Sequence, residues 1–552
     1  MFPPFASAPA SATPSLAPAP APMPAPSPDL GPDARATPGW PEEFAARYRA
    51  AGHWRGETIG RALRDRAAAH PDRVALVDGP RRWTYGRLDA LVDRMAAGLA
   101  ALGVARGDRV VVQLPNVAEF FEVTLALLRL GAPPVLAHTD HREAELRSLC
   151  SFTEARALVV ADAWGGHDFR ALAGRVADEV PTLRHVLVAG RPGPHTPLDS
   201  VPGDPVRPLT GPEPGDVALL RLSGSTTGAP RLVARTHDDF LHGLRTANEV
   251  AGVDHATVHL CALPASGALP LGAPGALGTL YAGGRVVVSP RPGPDTAFPL
   301  IARERVTATA LTPPLAARWI DAAATTAHDL SSLRLLQVGG APLDERTARR
   351  VSPALGCALQ QVYGTAEGLV SATRLDDPVE TVVTTQGRPL CADDEIRVVD
   401  ESGAEVEPGA AGHLLVRGPA TVRGHWRAPE HDQLAFTADG FHRTGDLVRR
   451  TEGGALVVVG RVRRQINRGG RQFAPEEVEN HLLAHPDVYD AVVVGAPDPF
   501  LGERVTAHLV PRPGAPLPTP AAVRAFLHER GLAAFKIPER VEAARDMTHT
   551  AA

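Results

Sequence analysis

The stretch LSGSTTGAPRLVARTH, Leu222 to His237, follows the apolar run VALLRL and sets Ser223, Gly224, Ser225, Thr226, Thr227 and Gly228 side by side. Glycines let a backbone approach a ligand closely, and successive N–H groups and hydroxyls in such a turn form a concavity for anionic oxygens. That composition suits a triphosphate, with Arg231 as the cationic partner. It is not a Walker-type loop, because the GK[ST] ending is absent and no lysine follows. Four more stretches rich in Gly, Thr and carboxylates follow in order: LQVGGAPL (Leu336 to Leu343), QVYGTAEG (Gln361 to Gly368), FHRTGDLV (Phe441 to Val448) and GRVRRQINRGG (Gly460 to Gly470).

The elements that must position these residues are legible as alternation. Amphipathic runs such as Leu88 to Leu102 alternate with short apolar runs such as RVVVQLP and ALVVAD. That pattern predicts an α/β fold with a mostly parallel sheet core. EIRVVDESGAEVEPGAAGHLLVRGP reads as short strands joined by Gly/Pro turns, and EEVENHLLAH as a helix of a separate small unit beginning near Arg463. A chain of 552 residues is too long for one compact core, so a large domain plus a smaller one is expected. Residues 1–38, nearly all Ala, Pro and Ser, bury too little apolar area to offset ordering entropy and are expected to form a disordered tail.

Composition narrows the function. A net charge of −5, with 22% charged and 44% hydrophobic residues, gives no electrostatic footprint for nucleic acid. There is no apolar stretch of about 18 residues and no signal-peptide pattern, so neither membrane spanning nor export is expected. Cys150, Cys261, Cys357 and Cys391 form no CxxC pair or dense framework and read as buried free thiols, pointing to a reducing cytoplasm. Lys536 is the single lysine, so the chain replaces lysine with arginine almost throughout.

The five stretches, in this order, resemble the adenylate-forming superfamily of acyl-CoA synthetases, peptide-synthetase adenylation domains and luciferases. The resemblance implies ATP and Mg²⁺ as cofactors. It implies that Ser223 to Gly228 and Arg231 hold the phosphates, that Gly339, Gly340 and Ala341 lie beside the adenine, and that Tyr363, followed by Gly364, stacks on it. On the same basis Thr365 contacts the α-phosphate, Glu367 holds Mg²⁺, Asp446 grips the ribose hydroxyls and Arg461 contacts ribose and phosphate. The chemistry agrees: a carboxylate supplies hard oxygen for Mg²⁺, and an ionised Asp is an acceptor suited to two hydroxyl donors. Implied too are a core over 39–462, with mixed sheets, helices and a small β-barrel-like subdomain, and a small mobile α+β domain over 463–552.

Within the superfamily the strings PLIARERVTATALTPPLA, TRLDDP, QINRGG, EEVENHLLAHPDV, DPFLGER and ERGLAAFKIPERVE are similar to stand-alone 2,3-dihydroxybenzoate and salicylate AMP ligases, from Trp40 to Val541. Such enzymes load aryl carrier proteins in siderophore and nonribosomal peptide biosynthesis. The expected partners are therefore a small aromatic acid and a carrier-protein or CoA thiol.

Three departures shape the reading. The phosphate-loop and hinge positions carry Arg231 and Arg463, in line with the arginine bias, although Arg is a planar fork rather than a point charge. The acid-binding stretch LPASGALPLGAPG has Gly267, Ala268, Leu269 and Ala273 where the subgroup resembles His-Asn-Tyr-Pro-Leu-Ser-Ser. A hydroxyl on the acid would then lack partners, at roughly 1–3 kcal/mol per unsatisfied buried group. A wider, more apolar pocket follows, with His237 and Val338 also assigned to it by the resemblance. Finally, the sequence ends at ARDMTHTAA, and ungapped extension puts the family's catalytic lysine just beyond Ala552, while Lys536 occupies a different stretch, AFKIP. Losing one such pre-organised group typically costs on the order of 10²–10³ in rate. Three readings stay open on sequence alone: an aryl-acid AMP ligase, a ligase fold redirected to activating nitrite in diazo formation, and a nucleotide-binding homologue without catalysis.

Overall fold

The computed structural model describes residues 39–204, 210–223, 231–461, 465–498, 500–512 and 514–544. Its large part is built on two sheets. Six parallel strands, Val74–Asp78, Arg285–Val288, Val258–Cys261, Ala308–Leu311, Leu335–Gly339 and Ala358–Gly364, form the centre of a nine-stranded sheet with antiparallel strands at both edges. A seven-stranded sheet is parallel from Val217–Leu222 through Pro134–Leu136, Val110–Gln113, Ala157–Ala161 and His185–Ala189 to Thr196–Pro197. Its other edge is the antiparallel strand Leu232–Thr236. Parallel strands are covered on both faces, which is why they appear as short apolar runs without alternation.

Helices fill the space between the sheets. The run Leu88 to Leu102 lies in the helix Tyr85–Ala101, which buries Leu88, Val92, Met95 and Leu99 at helical spacing. Its first turn is capped by the Thr84 side chain, which accepts from the Arg87 N–H. The neighbouring helix Ala118–Leu130 is apolar on nearly every side and is buried almost throughout. These helices share one core with Leu76 and Val286 of the first sheet and Val110, Val112 and Leu219 of the second.

Strands Glu395–Val399, Ala411–Arg417, His442–Arg450 and Leu456–Arg461 form a four-stranded antiparallel sheet in chain order, the unit expected to be barrel-like. A further sheet contains Ile466–Arg468, Arg471–Phe473, Gly502–Pro511, Val488–Asp498 and Arg540–Ala543. Helices Pro475–Leu483 and Pro520–Glu529 cover it around a core of its own, which includes Phe473, Val478, Leu482, Val505 and Leu527. Polar contacts tie this α+β unit to the larger part: Lys536 Nζ to Glu145 at 3.0 Å, Asn467 Nδ2 to the Gly340 carbonyl at 2.8 Å, and Arg471 to Asp140 at 2.6 Å. Among the described residues no helix is long and apolar enough to cross a membrane. All four cysteines are free and buried.

Candidate active site

The hairpin of Val217–Leu222 and Leu232–Thr236 pairs Leu222 with Leu232, and the Ser223 N–H donates to the Arg231 carbonyl at 2.9 Å. Ser223 and Arg231 therefore form the base of the Gly/Ser/Thr stretch; Gly224, Ser225, Thr226, Thr227 and Gly228 lie outside the described residues. From that base the Ser223 hydroxyl donates to Glu367 Oε1 at 2.5 Å. Glu367 sits in a turn closed by the Thr365 N–H on the Leu369 carbonyl, 2.9 Å, and the Gly368 N–H on the Thr365 carbonyl, 3.3 Å. Gly368 has φ +131°, and a Cβ there would stand 1.8 Å from the Ala420 carbonyl oxygen, so only glycine lets the turn pack where it does.

Glu367 is buried and meets two imidazoles. His425 Nε2 lies 3.2 Å from its Oε1, while His425 Nδ1 lies 2.6 Å from Asp432 Oδ1. His442 brings a third potential ligand atom within 4.8 Å of the other two. Burial opposes ionisation of Glu367, but His442, His425 and the Ser223 hydroxyl outweigh it and hold the carboxyl well below the usual range. Burial likewise opposes charge on His425, yet Asp432 and Glu367 raise it above an ordinary imidazole, whereas burial pushes His442 down to about 4. The donor set gives a test for Mg²⁺. That ion takes one or two protein carboxylates and completes its octahedron with phosphate and water oxygens, which Glu367 can satisfy; the imidazoles are not Mg²⁺ ligands of choice.

On the strand that begins at His442, Asp446 is buried, its N–H bound to Thr444 Oγ1 at 3.1 Å, and its Oδ2 accepts from the Tyr363 hydroxyl at 2.5 Å. The backbone register pairs Asp446 with Arg461 at the end of Leu456–Arg461.

Of these groups, Ser223, Arg231, Glu367, His442 and Asp446 face one cavity of about 750 Å³. Of the residues singled out from sequence, Ser223, Arg231, Gly267, Ala268, Leu269, Ala273, Gly339, Gly340, Gly364, Thr365, Glu367 and Asp446 line it. Thr365 Oγ1 is buried and makes no hydrogen bond among the described residues. Gly267, Ala268, Leu269, Pro270 and Ala273 line the cavity together with Phe240, Leu263 and Pro264, a largely apolar stretch of wall. Gln465, Gly469, Gly470 and Lys536 of the small α+β unit close over the opening.

Four expected site residues are placed elsewhere. Tyr363 is not among the lining residues: side chains alternate along a strand, so Val362 and Gly364 line the cavity while Tyr363 packs with Leu369, Val398 and Leu414 and gives its hydroxyl to the lining residue Asp446. Val338 is turned by the same alternation into the helix-covered core, and Gly339 takes the cavity side. Ala341 lies beyond the lining, past Gly340 with its φ of +86°. His237 begins the helix His237–Ala251 and is wholly buried, its Nδ1 accepting the Ile59 N–H at 3.2 Å; it is a structural residue.

Arg221 and Asn116 are among the cavity residues missed from sequence. Arg221 lines the cavity, is 8% exposed, and has no hydrogen-bond or ion-pair partner among the described residues. Burial and the adjacent Arg235 push it down to about 9, so it remains cationic at neutral pH. An arginine inside the apolar run VALLRL was the available signal, since an unpaired charge is rarely buried without a purpose. Asn116 also lines the wall, but its amide donates to the carbonyls of Cys261, Leu263 and Ser289, so it shapes the wall. Nothing in the spacing of His425 and Asp432 distinguishes them from surface polar residues.

Comparison with known proteins adds an independent line. Residues 63–426 match the family described as AMP-binding enzyme, and residues 477–552 match the AMP-binding enzyme C-terminal domain. The chain is 54% identical over 503 residues to 2,3-dihydroxybenzoate-AMP ligase of Bacillus subtilis (strain 168), covering 91% of this chain and 93% of that one. It is 44% identical over 514 residues to the salicyl-AMP ligase / salicyl-S-ArCP synthetase of Mycobacterium tuberculosis (strain ATCC 25618 / H37Rv), covering 91% and 90%. The apo structure of Mycobacterium smegmatis MbtA superposes with a TM-score of 0.74 at 44% identity, covering 92% of this chain and 95% of that chain.

Proposed function

The chain belongs to the AMP-binding enzyme family, and from that premise we propose that it activates a small aromatic carboxylic acid as its acyl-AMP and passes the acyl group to a carrier-protein or CoA thiol. The observation that carries the reading is the 2.5 Å bond from Ser223 to Glu367, which draws the base of the phosphate-type loop and the YGTAEG turn to one point on the cavity wall. In the reaction a carboxylate oxygen of the acid attacks the α-phosphorus of ATP, the bond to the bridging oxygen breaks, and acyl-AMP and pyrophosphate result. The thiol then attacks the acyl carbon and AMP leaves. No side-chain nucleophile is required.

The Thr365 hydroxyl, without a partner among the described residues, offers a donor to the phosphates, with Arg231 and Arg221 as positive charges on the same wall. Glu367 would hold the Mg²⁺ that accompanies ATP, and the bound ion would supply positive charge to offset that of the phosphates. Asp446, fixed by Tyr363, accepts from the ribose hydroxyls. Pre-organised groups of this kind lower the barrier because they need no reorganisation as charge develops. The acid ring rests on the apolar wall of Gly267, Ala268, Leu269 and Ala273, which favours an acid with bulk or apolar substituents over one that relies on ring hydroxyls. Residues 39–462 form the adenylating core, and 463–552 rotate against it between the two half-reactions. The separate core of the small unit and its few polar bridges to the rest support such movement.

ATP–pyrophosphate exchange by the purified chain with benzoic, picolinic and cinnamic acids checks the proposal. At least one aromatic acid is expected to stimulate exchange. Stimulation by none of them, with ATP binding intact, rejects it.

A further inference from the structure

Away from the cavity, three separate segments bring His53, His242 and Cys391 together. His53 follows the helix Glu42–Ala50, His242 stands on the helix His237–Ala251, and Cys391 follows the sheet-edge strand Arg388–Pro389. One potential ligand atom from each lies within 4.8 Å of the other two. His242 is 2% exposed and Cys391 8%. His242 Nε2 is buried with no hydrogen-bond partner among the described residues, an expensive condition for a polar atom unless something meets it. The His53 and His242 rings approach edge to face with centroids 4.8 Å apart. Asp393 borders the cluster on two sides: its Oδ2 lies 2.5 Å from His53 Nε2, and its N–H donates to Cys391 Sγ at 3.4 Å.

We propose that His53, His242 and Cys391 form a site for a zinc-class transition ion, with Asp393 orienting His53. A thiolate and two imidazoles select Zn²⁺ or a similar borderline ion over Mg²⁺ or Ca²⁺, which prefer oxygen. A carboxylate bonded to the remote side of a ligating imidazole is the usual orienting partner in such sites. On binding, the Cys391 thiol gives its proton to solvent and the thiolate bonds the metal, while both imidazoles stay neutral. Arg245, which donates to Glu57 and to the His53 carbonyl, and Arg235 bring positive charge toward His242, and the thiolate and Asp393 offset it against the incoming ion. The site is a staple. It joins the N-terminal segment and the edge of the nine-stranded sheet to the helix whose Phe240 and Gly243 line the cavity, so occupancy stiffens the cavity wall without touching the reacting atoms.

The test uses the full chain without a polyhistidine tag, stripped with chelator and titrated with Co²⁺ and then Zn²⁺ in the absence of nucleotide and acid. The expected result is an ultraviolet sulfur-to-cobalt charge-transfer band that saturates at one ion per chain and disappears in Cys391→Ser. Zn²⁺ is expected to raise the melting temperature of the wild type but not of that variant. Asp393→Asn should weaken binding by about 10–100-fold, the range for an orienting residue, and His242→Gln by more. Cobalt held by Glu367, His425 and His442 would give no thiolate band, which separates the two clusters. Equal melting of the metal-free wild type and Cys391→Ser shows that the variant folds; if it does not fold, His53→Gln takes its place. Absence of the band, or its persistence in the folded variant, overturns the proposal and leaves the exchange assay of the preceding section unaffected.

Discussion

Two sets of residues at the cavity are built on different principles. In the first, Ser223, Glu367, His425 and Asp446 are fixed by bonds to one another and to Asp432 and Tyr363. In the second, Gly267, Ala268, Leu269 and Ala273 present little but apolar surface, and Asn116 spends its amide on backbone carbonyls. The first recognises a ligand by placing individual polar atoms, so it tolerates few substitutions. The second recognises by volume and apolar contact, so its residues can change with the acid while the fold stays the same.

That contrast can be broken at its strongest point. Glu367→Gln removes the charge but keeps the shape, and turnover in pyrophosphate exchange should fall by about 10²–10³-fold, as for loss of one pre-organised group. A fall of less than tenfold would deny Glu367 its role. Asp446→Asn should raise the KM for ATP by about 10–100-fold, since hydrogen bonds to a charged group are worth roughly 1.5–3 kcal/mol, with little effect on the preferred acid. In the apolar set the expected change is in selectivity. Ala268→Asn adds an amide to the cavity wall, and the ratio of kcat/KM for a hydroxylated over an unhydroxylated acid should rise about tenfold, within the range that one wall contact can give. An unchanged ratio would take that segment out of acid recognition. The smallest effect is expected for Tyr363→Phe, which leaves Asp446 present but less firmly held. Because this change reaches the nucleotide only through Asp446, the KM for ATP should rise a few-fold, whereas an effect as large as that of Asp446→Asn would mean that Tyr363 touches the nucleotide itself.

The same contrast explains what could be read from the sequence. Strands buried on both faces betray themselves as RVVVQLP and ALVVAD, and the helix bearing Leu88, Val92, Met95 and Leu99 by its period, so the α/β architecture was legible. Glu367, Thr365 and Asp446 lie in contiguous stretches because a tight turn needs its neighbours in sequence. Residue facing was harder to foresee: strand alternation hides Tyr363 and Val338 from the cavity, a one-residue matter that a motif does not specify. His237 was misplaced because helix packing against Ile59 involves a residue far away in sequence. His425 escaped for a related reason, since what marks it is burial beside Glu367, and that arises only when distant segments meet, whereas Arg221 could have been noticed as a charge inside the apolar run VALLRL.

The central claim is that the wall joining Ser223 to Glu367 receives the phosphates of a nucleotide with its metal. Isothermal titration of the full chain with Mg·ATP, repeated on Glu367→Gln, tests it most directly. Saturable binding of one nucleotide per wild-type chain, weakened in the variant and in the wild type without Mg²⁺, is the predicted result. No heat of association with the wild type, or identical affinity in the variant with and without the ion, would contradict it.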